Sequence, residues 1–308
     1  MSAEIEEKLD KIPVINILVD FLKKIRLPGF EGLSLYDLME MYLIGIVKGA
    51  LTYRASAISF SFFMALFPFL LFILNLIPYV PIDNFESEFL LYVDGLLPPR
   101  TVEFFDNIIK DIISNKRGGL LSSVFILSIF LMANGINAIF GGFETSYHVR
   151  ITRNLIRQYI VALGVALLIS ILFLVSVGVF IYLQYLTEFY AQTRELAISA
   201  EEMTGIQIGQ ALFFILISYI VTAILYYFGT PEGKESRFFS PGALLTTILI
   251  ILTTYLFGIY IENFSLYNEI YGSIGALLIF MLYIWLNSNI LLLGFELNAS
   301  LRSLRKSY

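Results

Sequence analysis

Residues 272–295 read GSIGALLIFMLYIWLNSNILLLGF, twenty-four positions without one charged side chain. An α-helix rises about 1.5 Å per residue, so about 20 such residues cross a hydrocarbon core about 30 Å thick. Five more charge-free runs of comparable length occupy 55–78, 120–140, 158–186, 205–229 and 240–261. The third is long enough to tilt or to extend beyond the lipid. Helices satisfy their own backbone groups in lipid, whereas a closed barrel would show strands of about ten residues with alternating polarity. These runs are continuously apolar. The pattern predicts an all-α polytopic membrane protein, a bundle of six transmembrane helices.

The composition agrees. Of 308 residues 58% are hydrophobic and 15% charged, with a mean hydropathy of +0.80; an ordinary soluble domain has about 25% charged residues. Cysteine is absent, which excludes disulfides, thiolate nucleophiles and cysteine-ligated metal centres. The net charge of -5 and the lack of a long basic run give nucleic acid no handle. The first thirty residues, with Glu4, Glu6, Glu7 and Asp10, lack the basic and apolar regions of a cleavable signal.

Orientation follows from the loops. With the N-terminus inside, internal segments hold fifteen Lys and Arg and external loops five. Positive residues are retained on the cytoplasmic side, so both termini are expected in the cytoplasm. The chain then divides into a cytoplasmic N-terminal region, 1–54, a membrane domain, 55–295, and a C-terminal tail, 296–308. In the first region Ser34 and Asp37 resemble a capping box, and Leu38, Met41, Tyr42 and Ile46 recur at helical spacing. This predicts an amphipathic helix at the interface or beneath the bundle. Within the external loop 79–119, Pro98 and Pro99 introduce Val102, Phe105, Ile109 and Ile112 as an apolar stripe, which predicts one or two amphipathic helices over the outer face.

Enzyme chemistry finds little material. His148 is the single histidine and lies beside Arg150 and Arg153, where a headgroup contact is a simpler role than catalysis. The nucleophile elbow, the P-loop and the dinucleotide fingerprint are absent. No metal site and no cofactor are expected. Polar residues inside apolar runs are more informative, because lipid disfavours them and they turn to the bundle interior. Asn134 and Asn137 share a face of the second helix, and Asn289 and Glu296 share a face of the sixth. Asn287 joins them as a candidate substrate contact. Asn75, Pro68 and Pro78 mark the first run, where proline permits a bend. Each asparagine otherwise makes an interhelical hydrogen bond worth about 1 kcal/mol. Arg54, at the inner end of the first run, is a candidate ion-pair partner for Glu296, clamping the first and last helices together.

Three stretches carry a resemblance. YRASAISFSFFMALFPFLLFI at 53–73 resembles the first-span signature of the YihY/BrkB family of bacterial inner-membrane proteins. NGINAIFGGFETSYHV at 134–149 resembles that family's second-span exit, with Asn137 at the matching place. The block 239–301 is similar to its C-terminal third, including Pro241-Gly242-Ala243, Asn263 to Asn268, Tyr271-Gly272-Ser273 and the closing Gly294-Phe295-Glu296-Leu297-Asn298-Ala299. The external loops depart from the family. The resemblance implies six transmembrane helices with both ends cytoplasmic. Members were once labelled ribonuclease BN, a label that one histidine and no basic RNA groove support poorly here. Others are linked to serum resistance and to envelope lipid or lipopolysaccharide export.

The resulting expectation is no enzyme but a transporter or flippase-like protein of the bacterial inner membrane, acting on an anionic lipid or lipid-linked envelope precursor. Arg150, Arg153 and Arg157 would form a basic patch at the inner headgroup level, each contributing about 1 kcal/mol toward anionic lipid. Asn134, Asn137, Asn287 and Asn289 would line a polar path, and Asn263, Tyr267 and Tyr271 would meet a headgroup at the outer interface. Membrane lipids, and candidate envelope assembly proteins, are the expected partners. The rival is a non-transporting scaffold or assembly factor whose polar residues only hold helices together.

Overall fold

The computed structural model describes residues 21–26, 34–36, 39–40, 50–76, 118–146, 154–193, 200–235, 238–263 and 273–307. The long elements are α1 Leu51–Leu76, α2 Gly118–Glu144, α3 Leu155–Thr193, α4 Ala200–Gly229, a 3-10 turn Pro231–Glu235, α5 Pro241–Asn263 and α6 Ser273–Ser307. No strand occurs among the described residues beyond an isolated bridge of Arg26 with Ser34. Five segments are long and apolar enough to cross a membrane: Ser122–Glu144, Leu155–Phe173, Ile208–Gly229, Pro241–Tyr260 and Leu277–Ser303.

Local chemistry sets the ends. Asn154 starts α3, its side chain accepting from the Ile156 N–H at 3.3 Å, and Ser240 caps α5 with Pro241 in the first helical position. α1 opens directly after Ala50, whose φ of 45° is unusual for a residue with a Cβ. Pro68 lies inside α1, and its carbonyl accepts a hydrogen bond from Ser128 of α2 at 2.6 Å. α6 does not stop at Phe295 but continues to Ser307, so most of the stretch expected as a tail is helix. Neither glycine nor proline follows Gly294, and nothing in the sequence breaks the helix there. The helix expected from Ser34 lies mostly outside the described residues, although the Leu35 N–H does donate to the Ile25 carbonyl at 2.9 Å. The amphipathic helices expected within 79–119 lie outside the described residues.

Each helix packs on its successor, and α6 returns to α1, so the six form a closed ring; α2 also touches α4 and α6. α1 and α6 run antiparallel, with Arg54 beside Glu296, Ser59 3.1 Å from Ser288, and the Phe63 and Phe280 rings 6.4 Å apart. We call the end where α1 begins and α6 ends the base. There the core is densest: Phe143 stacks on Phe295 at 4.1 Å, and Tyr226 stands edge-on to both.

Burial is strongly asymmetric along the bundle axis. In α6 every residue from Ser288 to Ser300 is buried or half-buried, whereas Leu277, Leu278 and Leu282 are exposed. In α5 burial stops at Thr247, and in α4 no residue from Ile208 to Val221 is buried. Exposed positions 208, 209, 211, 212, 214, 215 and 216 span about 220° around α4, and half-buried Gln210, Phe213 and Ile217 share the remaining face. Burial in α4, α5 and α6 is therefore concentrated toward the base, while α2 stays buried at Ser128 and Val124 toward the opposite end.

Candidate functional site

The base holds two polar assemblies, both built by α6. The first joins α1, α2 and α6. Arg54 donates through Nη2 to Glu296 Oε1 at 2.7 Å and through Nη1 to the Gly142 carbonyl at 2.7 Å. Ser146, just past the end of α2, donates to Glu296 Oε2 at 2.8 Å. Arg54 is 7% exposed and Glu296 0%. One guanidinium thus grips the end of α2 by its backbone and α6 by its carboxylate, while both carboxylate oxygens are satisfied. A lone charge here would be severely disfavoured; the pair with its hydrogen bonds offsets most of that cost.

The second assembly joins α4, α5 and α6. The Tyr226 hydroxyl donates to the Leu291 carbonyl at 2.7 Å and accepts from Thr246, 2.6 Å away. Asn298 accepts the Gly242 N–H on Oδ1 at 2.9 Å and donates through Nδ2 to Ser240 at 2.8 Å. Asn298 therefore satisfies an orphan amide at the start of α5 from a neighbouring helix. This works because α5 and α6 touch backbone to backbone. A Cβ on Gly294 would collide with Thr246 and lie 2.6 Å from the Gly242 carbonyl, and a Cβ on Gly242 would collide with the Gly294 carbonyl. Beside this crossing is a recess of about 10 Å³, room for about one water, lined by Tyr226, Tyr227, Ser240, Phe295, Asn298 and Arg302 among others.

Of the residues singled out from the sequence, the structure brings together Arg54 and Glu296. Asn287 and Asn289 each donate back to their own helix, to the Tyr283 carbonyl at 2.8 Å and the Trp285 carbonyl at 2.7 Å. Two residues apart, they point about 200° from one another around α6. Asn134 and Asn137 are half-buried on α2, and Arg157 is exposed on the first turn of α3. Asn263 ends α5, while Tyr267, Tyr271, His148, Arg150 and Arg153 lie outside the described residues. Tyr226, Ser240, Gly242, Thr246, Gly294 and Asn298 carry the second assembly yet were not among the candidates. Gly242 with Thr246, and Gly294 with Asn298, stand at the four-residue spacing of close helix contacts, a signal present in the sequence. Among the described residues no group of three or more His, Asp or Glu is placed to hold a metal ion.

The family described as Virulence factor BrkB matches residues 45–307. A ribonuclease-like protein of Bacillus subtilis (strain 168), YfkH, is 28% identical over 263 residues, 82% of this chain and 90% of that one. A UPF0761 membrane protein of Histophilus somni (strain 2336) is 26% identical over 278 residues, 86% of this chain and 90% of the relative. Another UPF0761 membrane protein, of Coxiella burnetii (strain Dugway 5J108-111), is 23% identical over 251 residues, 79% of this chain and 84% of the relative. No solved structure matches.

Proposed function

The chain belongs to the virulence factor BrkB family, and from that premise we propose that it is a six-span transporter of the bacterial inner membrane that moves an anionic lipid or lipid-linked envelope precursor. α1, 26 residues long, adds a sixth span to the five long apolar segments. Both termini and the base then face the cytoplasm, on the side of the fifteen Lys and Arg. The observation that carries the reading is the asymmetry of burial: α4, α5 and α6 are buried at the base, where Arg54 grips Glu296, and bury less toward the other end. Helices packed tightly on one side and more thinly on the other suit one half-cycle of alternating access. Arg150, Arg153 and Arg157 would gather anionic headgroups on the cytoplasmic side.

The scaffold reading draws on a specific observation too, since α1, α2 and α6 pack without a wide cleft, around Ile58, Phe140 and Leu292. Movement of lipid separates the two. Purified protein in vesicles with acyl-labelled phosphatidylglycerol is expected to carry the label between leaflets faster than protein-free vesicles do; equal rates favour the scaffold. The ribonuclease-like name of the Bacillus subtilis relative is not carried over, because one histidine and no cysteine leave few groups for phosphodiester cleavage.

A further inference from the structure

On one face of α6, Tyr283, Asn287, Leu291, Asn298 and Arg302 follow one another at helical spacing toward the base. Three of them meet polar groups of neighbouring helices. The Tyr283 hydroxyl is 2.7 Å from Thr254 of α5, the Leu291 carbonyl receives Tyr226, and Asn298 bonds Ser240 and Gly242. From Tyr283 to Arg302 the helix rises about 29 Å at 1.5 Å per residue, close to the thickness of the hydrocarbon core. The α5–α6 seam is thus a line of polar groups across the membrane domain. Leu252, Leu256, Leu278 and Leu282, on the same two helices, are exposed and suit acyl chains. The base end is cationic, with the Arg302 guanidinium over the Phe295 ring at 5.8 Å.

Asn287, midway along this line, has a side-chain amide whose hydrogen bonding is incomplete. Its Nδ2 donates to the Tyr283 carbonyl, which fixes the orientation of the amide, because Oδ1 cannot bond a carbonyl. Oδ1 is then buried without a hydrogen-bond partner. A buried acceptor left so is disfavoured unless a donor reaches it. Thr254 donates to the Ile250 carbonyl at 2.8 Å, so its contact with Tyr283 takes the tyrosine's proton and leaves no donor there for Asn287.

We propose that the α5–α6 seam is the route of the headgroup and that Asn287 Oδ1 selects lipids whose anionic headgroup carries a hydrogen-bond donor, as the glycerol hydroxyls of phosphatidylglycerol do. The proposal rests on the lipid-transport reading and adds the route and the substrate class. In it, the phosphate starts against Arg302 at the base, α5 shifts from α6 as the headgroup passes, and the hydroxyl completes Asn287 midway.

The test compares phosphatidylglycerol with phosphatidylmethanol, which has the same charge and chains but no headgroup donor, in vesicles containing the wild type, Asn287→Leu, Asn287→Ala or, as a distant lipid-facing control, Ile171→Ala. The wild type and Ile171→Ala are expected to move phosphatidylglycerol about tenfold faster than phosphatidylmethanol, as about 1.4 kcal/mol at the barrier gives. Both Asn287 variants should move the two lipids alike, at the slower rate. Equal rates in the wild type, or an undiminished preference in a folded Asn287 variant, overturn the proposal. If the wild type moves neither lipid, the transport reading fails by itself, and a photoreactive-acyl phosphatidylglycerol decides the seam. Labelling concentrated on α5 and α6, competed better by phosphatidylglycerol than by phosphatidylmethanol and lost in Asn287→Ala, supports it. Labelling spread evenly over α3 and the other helices refutes it.

Discussion

The base clamp makes the sharpest energetic prediction. Replacing Glu296 by Met leaves the Arg54 guanidinium at a site 7% exposed, with the Gly142 carbonyl as its remaining hydrogen-bond acceptor and Ser146 without its carboxylate. Replacing Arg54 by Met leaves a carboxylate at a site with 0% exposure, held by one serine hydroxyl. Removing one partner of a buried pair costs about 3–5 kcal/mol, most of it the burial of the survivor's charge. Arg54→Met with Glu296→Met removes both charges at similar volume, so the double variant should lose about 1–2 kcal/mol, from Ser146 and Gly142 alone. The single variants then fail to add, with a coupling of at least about 4 kcal/mol. Unfolding in mixed micelles with rising sodium dodecyl sulfate measures all four proteins. Trp285, the one tryptophan, sits half-buried on α6 and reports through its fluorescence. A double variant as unstable as the summed singles, or singles that each cost under about 1 kcal/mol, would refute the clamp.

Other positions give simpler outcomes on the same assay. Gly294→Ala should cost about 3 kcal/mol or more, since its Cβ strikes Thr246 and the Gly242 carbonyl, while Gly164→Ala, with nothing within 4 Å, should be neutral or gain up to about 1 kcal/mol. Tyr226→Phe removes one hydroxyl from between Thr246 and the Leu291 carbonyl and should cost about 1–3 kcal/mol. Ala50→Gly should be neutral or stabilising by up to about 1 kcal/mol, because glycine adopts a φ of 45° without steric cost.

The helices were legible because lipid imposes one strong rule. A backbone in hydrocarbon must satisfy itself, so a charge-free run is a helix whatever its neighbours are. The runs 120–140, 205–229 and 240–261 accordingly fall within Gly118–Glu144, Ala200–Gly229 and, save for the capping Ser240, Pro241–Asn263. The same rule hides the packing. Helices apolar all round carry no stripe that says which face meets a neighbour, so hydropathy was silent on the closed ring and on the backbone contact of Gly242 with Gly294. The meeting of Arg54 with Glu296 could be anticipated because two opposite charges at the same level of a bilayer have few other partners. Asn298 could not, because its role depends on a crossing of α5 and α6 that no single run encodes. The boundary read after Phe295 puts Glu296 at the start of a tail, yet α6 runs on to Ser307, since length alone does not separate a span from its extension out of the lipid.

The proposed transporter has its base facing the cytoplasm, and the absence of cysteine makes that orientation directly measurable. Ser265→Cys and Tyr308→Cys, introduced singly and probed on intact cells with a membrane-impermeant maleimide, report on the two ends of α6. Labelling of Ser265→Cys from outside, with Tyr308→Cys labelled only after the membrane is permeabilised, is the predicted result. Labelling of Tyr308→Cys in intact cells would contradict it.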